Sequence, residues 1–361
     1  MVDSIRIGKY EIKNFGEPVI IAEIGSNHNG NIKLAKKLID KAKECGAHCV
    51  KFQSFDTNLY SKVCYTDSEK KKKVMEDSAL NNLFKKVHKN LKKELEDNGV
   101  TKEQLKEIKQ YCDKKDIMFC CTPLNYESVD FLADELDVKF IKIASMELNN
   151  PTFLEYAAKK NKPIALSTGM GTIEEVEAAI KTIKDAGNNQ IVLFHCVSIY
   201  PPDDEIVNLN NMLMLREKFN LPTGFSDHTF GTSIPLAAVA MGACMIEKHF
   251  TLDKGMEGWD HSISANPKEL KIIVQESKKI HTALGKRERV VCQKELDQRT
   301  LFRRSIIVTK DLPAGHILAR EDLEFKRPGV GIEPNKINEI VGKELKNSLD
   351  QDDLLYWEDL K

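Results

Sequence analysis

The chain has 361 residues, 41% of them hydrophobic and 30% charged, which is enough for one large domain with an ample core and a second, smaller one. Its formal net charge of −1 gives no reason to expect nucleic acid or a membrane surface as partner. No stretch approaches the roughly 18 uninterrupted apolar residues that a membrane span needs, and the N-terminal MVDSIRIGKYEIKNFG lacks the apolar centre of a signal peptide. The nine cysteines are an odd number without a CxxC pair, which predicts reduced thiols and a cytoplasmic protein.

From about residue 19 to residue 285 the pattern repeats strand, loop, helix. Strand signals are VIIAEI (19–24), HCVKF (48–52), IMFCCT (117–122), FIKIAS (140–145), PIALST (163–168), IVLFHC (191–196), PTGFSD (222–227) and CMIEKHF (244–250). Helical segments with apolar residues at i, i+3, i+4 and i+7 lie between them, such as NIKLAKKLIDKAKECG, TIEEVEAAIKTIKDAG and SIPLAAVAMGA. Gly46, Gly187 and Gly242 suit helix C-caps. Eight such units predict a (β/α)₈ TIM barrel of the α/β class over residues 1–285. The structural rival, a doubly wound sheet, would need a GxGxxG turn after its first strand, and there is none. A Lys-rich insertion over residues 56–116 reads as a solvated, partly helical stretch, with a lid over the barrel mouth as the alternative. Residues 286–300 are polar and read as a linker. Residues 301–361, with short strands and the turns PAG and RPGVG, read as a small β-rich module.

Barrel enzymes carry their chemistry at the C-terminal strand ends. In chain order those ends hold Glu23, Lys51, Gln53, Thr122, Lys142, Ser145, Glu147, Ser167, Thr168, His195, Ser198 and Tyr200. Asp227, His228, Glu247, Lys248 and His249 complete the set. A lone histidine is more often a hydrogen-bonded structural residue than a ligand. His228 and His249, however, follow adjacent strands and can converge on a divalent ion, leaving coordination positions for substrate or water. His28 is either a third group at the mouth or a turn-stabilising residue. His48, His88, His281 and His316 are assigned to surface or structural roles. Two buried ammonium groups, Lys51 and Lys142, repel each other unless an anion lies between them, so they read as a phosphate or carboxylate clamp. Ser145, Ser167 and Thr168 would add neutral donors. The bland alternative pairs each lysine with a strand-end glutamate such as Glu23 or Glu147.

Taken in order, AEIGSNHNG, VKFQ, TPL, IKIASME, LSTGM, SDHT, EKHFT and RRSIIVTKDLPAGHIL resemble the sialic acid (nonulosonate) synthase family, a barrel followed by an antifreeze-like SAF domain. The resemblance runs from about residue 17 to the end. It implies condensation of phosphoenolpyruvate with an N-acetylated amino sugar, N-acetylmannosamine or a diacetamido-trideoxyhexose. The product would be a nine-carbon 2-keto acid plus phosphate, made with Mn²⁺ (or Mg²⁺ or Co²⁺). By the same resemblance His228 and His249 are the metal ligands. Lys51, Thr122, Lys142, Ser145 and Ser167 hold phosphoenolpyruvate, and Glu23, Gln53, Tyr200 and Asp260 surround the sugar and metal. Glu147 is an acid/base candidate. Arg304, or its neighbour Arg303, is the arginine that one subunit delivers into its partner's barrel in a domain-swapped homodimer. Two departures touch the sugar side: EGWDHSIS where the family often has a GPD-like run, and Ser198 where asparagine is commoner. The rivals are an octulosonate- or heptulosonate-phosphate-type synthase, which would lack the SAF tail, and a non-catalytic carbohydrate-binding protein.

Overall fold

The structure is a computed structural model and describes residues 4–54, 99–258 and 260–361. Most of the insertion over 56–116 therefore lies outside the described residues, as do His88 and the lid reading; its end is the helix Lys102–Lys114. The described chain forms two compact units, Met1–Gly285 and Lys286–Lys361.

In the first unit a short hairpin, β1 (Ile5–Ile7) and β2 (Tyr10–Ile12), precedes eight parallel strands. These are β3 (Val19–Glu23), β4 (Cys49–Gln53), β5 (Met118–Thr122), β6 (Ile141–Ile143), β7 (Ile164–Ser167), β8 (Ile191–Cys196), β9 (Thr223–Asp227) and β10 (Met245–His249). Their order, β5-β4-β3-β10-β9-β8-β7-β6, brings the first strand beside the last and leaves only the β5–β6 seam without a ladder. The expected barrel is present. Its strands are buried on both faces, which is why they read as continuous apolar runs rather than alternating ones.

Helices cover the outside. Ile32–Glu44 is capped by the Asn31 side chain, and Ile173–Asp185 starts with a reciprocal Thr172–Glu175 capping box. Gly187, just past the latter helix, takes φ +92°, a conformation that costs glycine nothing.

Side chains alternate between two cores because strand period is 2. Outward residues such as Ile20, Ala22, Val50, Phe52, Phe119 and Leu193 pack under the helices. Inward residues Val19, Ile21, Cys49, Cys120, Phe140, Ala165, Val192, Phe194 and Met245 fill the lower lumen. Ile5, Ile7 and Ile12 of the hairpin join this second cluster, so the N-terminal hairpin closes the lower end of the barrel. The sequence reading missed that hairpin, because three-residue strands carry too little pattern to be seen.

The second unit has the antiparallel pair β11 (Ser305–Val308) and β12 (Leu323–Lys326) and a small core that includes Ile306, Val308, Leu312, Leu318, Ile340 and Leu355. The stretch read as a linker contains a helix, Gln293–Phe302, which buries no residue. The carboxylate of buried Asp322 holds the unit's loops together. It accepts from His316 Nε2 at 2.7 Å and from the Ala319 amide at 3.0 Å, and Lys310 Nζ lies 2.9 Å away.

Candidate active site

Following the inward parity upward shows where the lumen changes character. On β3 the inward series is Val19, Ile21, Glu23; on β4 it is Cys49, Lys51; on β10 it is Met245, Glu247, His249. Each series is apolar below and polar at the C-terminal end. Register then sets the polar ends side by side: Lys51 opposite Glu23, Gln53 opposite Thr122, Glu247 opposite Ser226, and His249 opposite Glu23.

At the centre of this layer is Glu247. Its Oε1 lies 3.1 Å from Lys51 Nζ and 3.3 Å from Lys142 Nζ, and it accepts from Ser226 Oγ at 3.1 Å. Lys51 also pairs with Glu23 and lies 3.4 Å from Thr122 Oγ1, while Lys142 donates to Ser167 Oγ at 2.7 Å. All four charged groups are almost fully buried. Burial raises the carboxyl pKa of Glu247, but the two ammonium groups prevail and hold it near 2. Burial, with repulsion from Lys142, lowers that of Lys51 against the opposing pull of Glu247. The clamp and its bland alternative therefore coexist. The lysines are paired, but Lys142 with Glu247 rather than Glu147, and Lys51 with both Glu23 and Glu247. The sequence reading noted Glu247 at its strand end without placing it in the site. Its spacing of two residues before His249, on the same strand face, was the available signal.

Above this layer stand the two histidines, with ring centroids 5.4 Å apart. His228 Nδ1 is 2.8 Å from the Val197 carbonyl, which fixes the ring and leaves Nε2 for another partner. His249 Nδ1 is buried without a hydrogen-bond partner, and Asp260 Oδ2 is 3.5 Å from it. Burial, reinforced by repulsion from His249, depresses His228 to about 4, and burial lowers His249 as well. Both rings are thus neutral at physiological pH, the form that offers lone pairs to a metal. Among the described residues no three His, Cys, Asp or Glu side chains form a ready-made metal cluster. An orphaned imidazole nitrogen beside a second fixed imidazole and a carboxylate nonetheless fits an open divalent site that takes its remaining ligands from substrate and water. The Tyr200 ring lies tilted against His228 with centroids 4.0 Å apart and meets His249 edge-on at 5.9 Å.

Ser145 and Ser198 form a third element. Ser145 Oγ accepts from the Gly169 amide at 3.1 Å, and a Cβ on Gly169 would come within 2.7 Å of that oxygen and collide with Ser198 Oγ. The glycine of LSTGM lets the two hydroxyls close on one point. Gly25 acts similarly: at φ +26°, an added Cβ would strike Glu23 Oε1 and approach Gln53 Nε2 to 2.8 Å.

Not every expected residue joins the cluster. Glu147 accepts from Asn150 Nδ2 at 2.8 Å and makes no contact with either lysine. Asp227 and Lys248 have outward parity and pair with each other at 2.7 Å, with Thr229 N and Oγ1 donating to Asp227 Oδ1, so they brace the wall instead of facing the mouth. His195 also faces outward, bonded to the Val207 carbonyl at 2.7 Å. His28 is buried with Nδ1 accepting from the Gly30 amide at 3.1 Å, the turn-stabilising arrangement. His48 accepts from the Ile20 amide. A cavity of about 370 Å³ opens between the loops after β7 and β8, but neither lysine, Glu247, His228 nor His249 lines it. In the second unit Arg303 pairs with Glu333 at 3.3 Å, whereas Arg304 is exposed and has no ion-pair or hydrogen-bond partner among the described residues.

Residues 38–289 match the NeuB family model, and residues 303–361 match the SAF domain. The chain belongs to the NeuB family. It is 40% identical over 347 residues to the N,N'-diacetyllegionaminic acid synthase of Legionella pneumophila, covering 95% of this chain and 94% of that one. With the enzyme of the same name from Campylobacter jejuni it shares 39% identity over 344 residues, 93% of this chain and 98% of that one. Among solved structures it is similar to the N-acetylneuraminic acid synthetase of Leptospira borgpetersenii, with TM-score 0.68 and 33% identity, covering 82% of this chain and 94% of that one. The NeuB-family chain described here is accordingly an enzyme of the synthase class, a barrel followed by a SAF domain. No helix among its described residues is long and apolar enough to cross a membrane.

Proposed function

We propose that this enzyme condenses phosphoenolpyruvate with a diacetamido-trideoxyhexose to give a legionaminic-type nine-carbon 2-keto acid and phosphate. The observation that carries this reading is the Lys51–Glu247–Lys142 cluster beneath His228 and His249. An anion clamp and a neutral imidazole pair, one above the other, match a phosphorylated enol and an aldehyde brought together. The diacetamido sugar is favoured because two relatives, the Legionella pneumophila and Campylobacter jejuni enzymes at 40% and 39% identity, carry that product in their names.

Phosphoenolpyruvate would lie against Lys51 and Lys142, with Thr122, Ser167 and Ser145 as neutral donors, and its negative charge would take over the role of Glu247 as their counter-ion. A divalent ion on His228 and His249, Mn²⁺ by the family resemblance with Mg²⁺ or Co²⁺ as alternatives, would supply Lewis-acid polarisation of the sugar aldehyde. Carbon 3 of the enol bonds to the aldehyde carbon, water adds at carbon 2, and the carbon 2–oxygen bond breaks to release phosphate. Glu23, whose Oε1 accepts no hydrogen bond, would direct the water or face the developing cation. The lysines stabilise the leaving phosphate. Glu147, held by Asn150, is the more remote acid/base candidate. Gln53, Tyr200, Ser198 and Asp260 are assigned to the sugar side. The free side chain of Arg304 fits delivery into a partner's barrel in a domain-swapped homodimer.

The deciding experiment is phosphate release from phosphoenolpyruvate with N-acetylmannosamine, with the diacetamido hexoses and with phosphorylated pentoses, each product identified by mass. A nonulosonate from a diacetamido sugar supports the reading. Turnover confined to a phosphorylated pentose would favour the octulosonate-type rival, and no phosphate release with any of them would refute the condensation.

A further inference from the structure

Ser26 belongs to none of the site's charged or metal-ligating groups, yet its hydroxyl ends at one of them. It is 5% exposed and donates to Asp260 Oδ2 at 2.8 Å, the same oxygen that lies 3.5 Å from His249 Nδ1. Asp260 sits on the long loop after β10, whose described residues form no strand or helix of their own to hold a side chain in one rotamer. The turn after β3 supplies the restraint. Asn27 Nδ2 donates to the Phe250 carbonyl at 2.9 Å and to Ser264 Oγ at 2.8 Å, and Ser264 Oγ in turn donates to the Asp260 carbonyl at 2.6 Å. Ser264 and Asn27 thereby fix the backbone of Asp260, and Ser26 fixes its carboxylate. Asn27 cannot do the latter, since its amide nitrogen already serves the other two groups.

We propose that Ser26 is a positioning residue that holds the Asp260 carboxylate beside His249 and thereby sets the affinity of the divalent-ion site. The inference rests on His228 and His249 being metal ligands. A carboxylate free to rotate away would have to be reordered each time an ion bound, and that cost would appear directly in the dissociation constant. A hydroxyl that donates to one oxygen removes the rotation and leaves the carboxylate's remaining lone pairs for the ion or its water.

The test is Mn²⁺ titration of the full-length protein without substrates, with free ion read by electron paramagnetic resonance. Ser26→Ala should bind Mn²⁺ about tenfold more weakly, the usual cost of losing an outer-shell partner. Ser26→Thr, which keeps the hydroxyl, should recover most of the affinity. In an Asp260→Asn background the same Ser26→Ala change should cost little, because the group it positions is gone. Equal affinity in wild type and Ser26→Ala, or a full Ser26→Ala loss persisting in Asp260→Asn, overturns the proposal while leaving the histidine assignment standing. Failure of the wild-type protein to bind Mn²⁺ removes both. If Ser26→Ala does not fold, Ser26→Cys, close in size with a weak donor, is the replacement and should also bind more weakly than wild type.

Discussion

The carboxylate of Glu247 lies 3.1 Å from the ammonium of Lys51 inside a barrel lumen that excludes solvent from both. With Lys142 on its other side, it neutralises two buried cations that would otherwise repel. Glu247→Gln keeps the shape and removes the charge. Breaking one side of such a buried pair costs about 3–5 kcal/mol, so the substrate-free variant should melt well below wild type. Phosphoenolpyruvate should raise the melting temperature of the variant more than that of wild type, because it restores the missing charge. Equal shifts in a thermal melt would show that the lysines do not share an anion site with Glu247.

Lys51→Met and Lys142→Met each remove half of the clamp. Either should weaken phosphoenolpyruvate binding by about 2–5 kcal/mol, the range for truncating a buried charge contact, with little effect on the KM of the sugar. Calorimetry with phosphoenolpyruvate alone measures the first, and steady-state kinetics the second. A change confined to the sugar would contradict the assignment.

His249→Ala should abolish metal-dependent turnover and Mn²⁺ binding while circular dichroism stays that of the folded barrel, since His249 Nδ1 makes no hydrogen bond that the fold depends on. Retained activity would eliminate the ion site.

Acid should affect the two halves of the site in different windows. His228, lowered from 6.5 to about 4, is neutral in the folded protein, so its contribution to stability is full above 6.5 and declines as pH falls toward 4. Mn²⁺ affinity should therefore hold from neutral pH to about 5, where an exposed imidazole would already be protonated. Glu247, lowered from 4.5 to about 2, contributes stability above 4.5 that disappears as pH falls through 2. Mn²⁺ titrations across pH, followed by acid melts of the metal-free protein, separate the two. Metal affinity lost with a midpoint at 6.5 would mean that His228 is not sequestered.

Arg304 and Arg303 are neighbours with different surroundings: Arg303 is tied to Glu333, Arg304 is not tied to anything among the described residues. Arg304→Ala should lose activity and Arg303→Ala should largely keep it; deletion of residues 301–361 should be inactive. Inactive Arg304→Ala and inactive His249→Ala chains, unfolded and refolded together, should regain about a quarter of wild-type activity if sites are completed across a symmetric dimer. Half of the dimers are then mixed, and each mixed dimer has one intact site. No recovery would refute the shared site.

The sequence by itself determined the barrel and the SAF module. Strands buried on both faces must be apolar throughout, and capped amphipathic helices between them leave few other architectures, so VIIAEI through CMIEKHF could be read directly. It also determined which chemistry-bearing residues sit at strand ends. It could not decide which way each one faces, because a shift of one residue reverses a side chain. That is why Lys248 and Asp227 looked like mouth residues and turned out to brace the wall, and why Glu247 went unplaced until register set it between Lys51 and Lys142. The contact of Ser26 with Asp260 spans 234 positions and depends on the last barrel strand closing beside the first. No local pattern encodes such a meeting; only closure of the barrel brings it about.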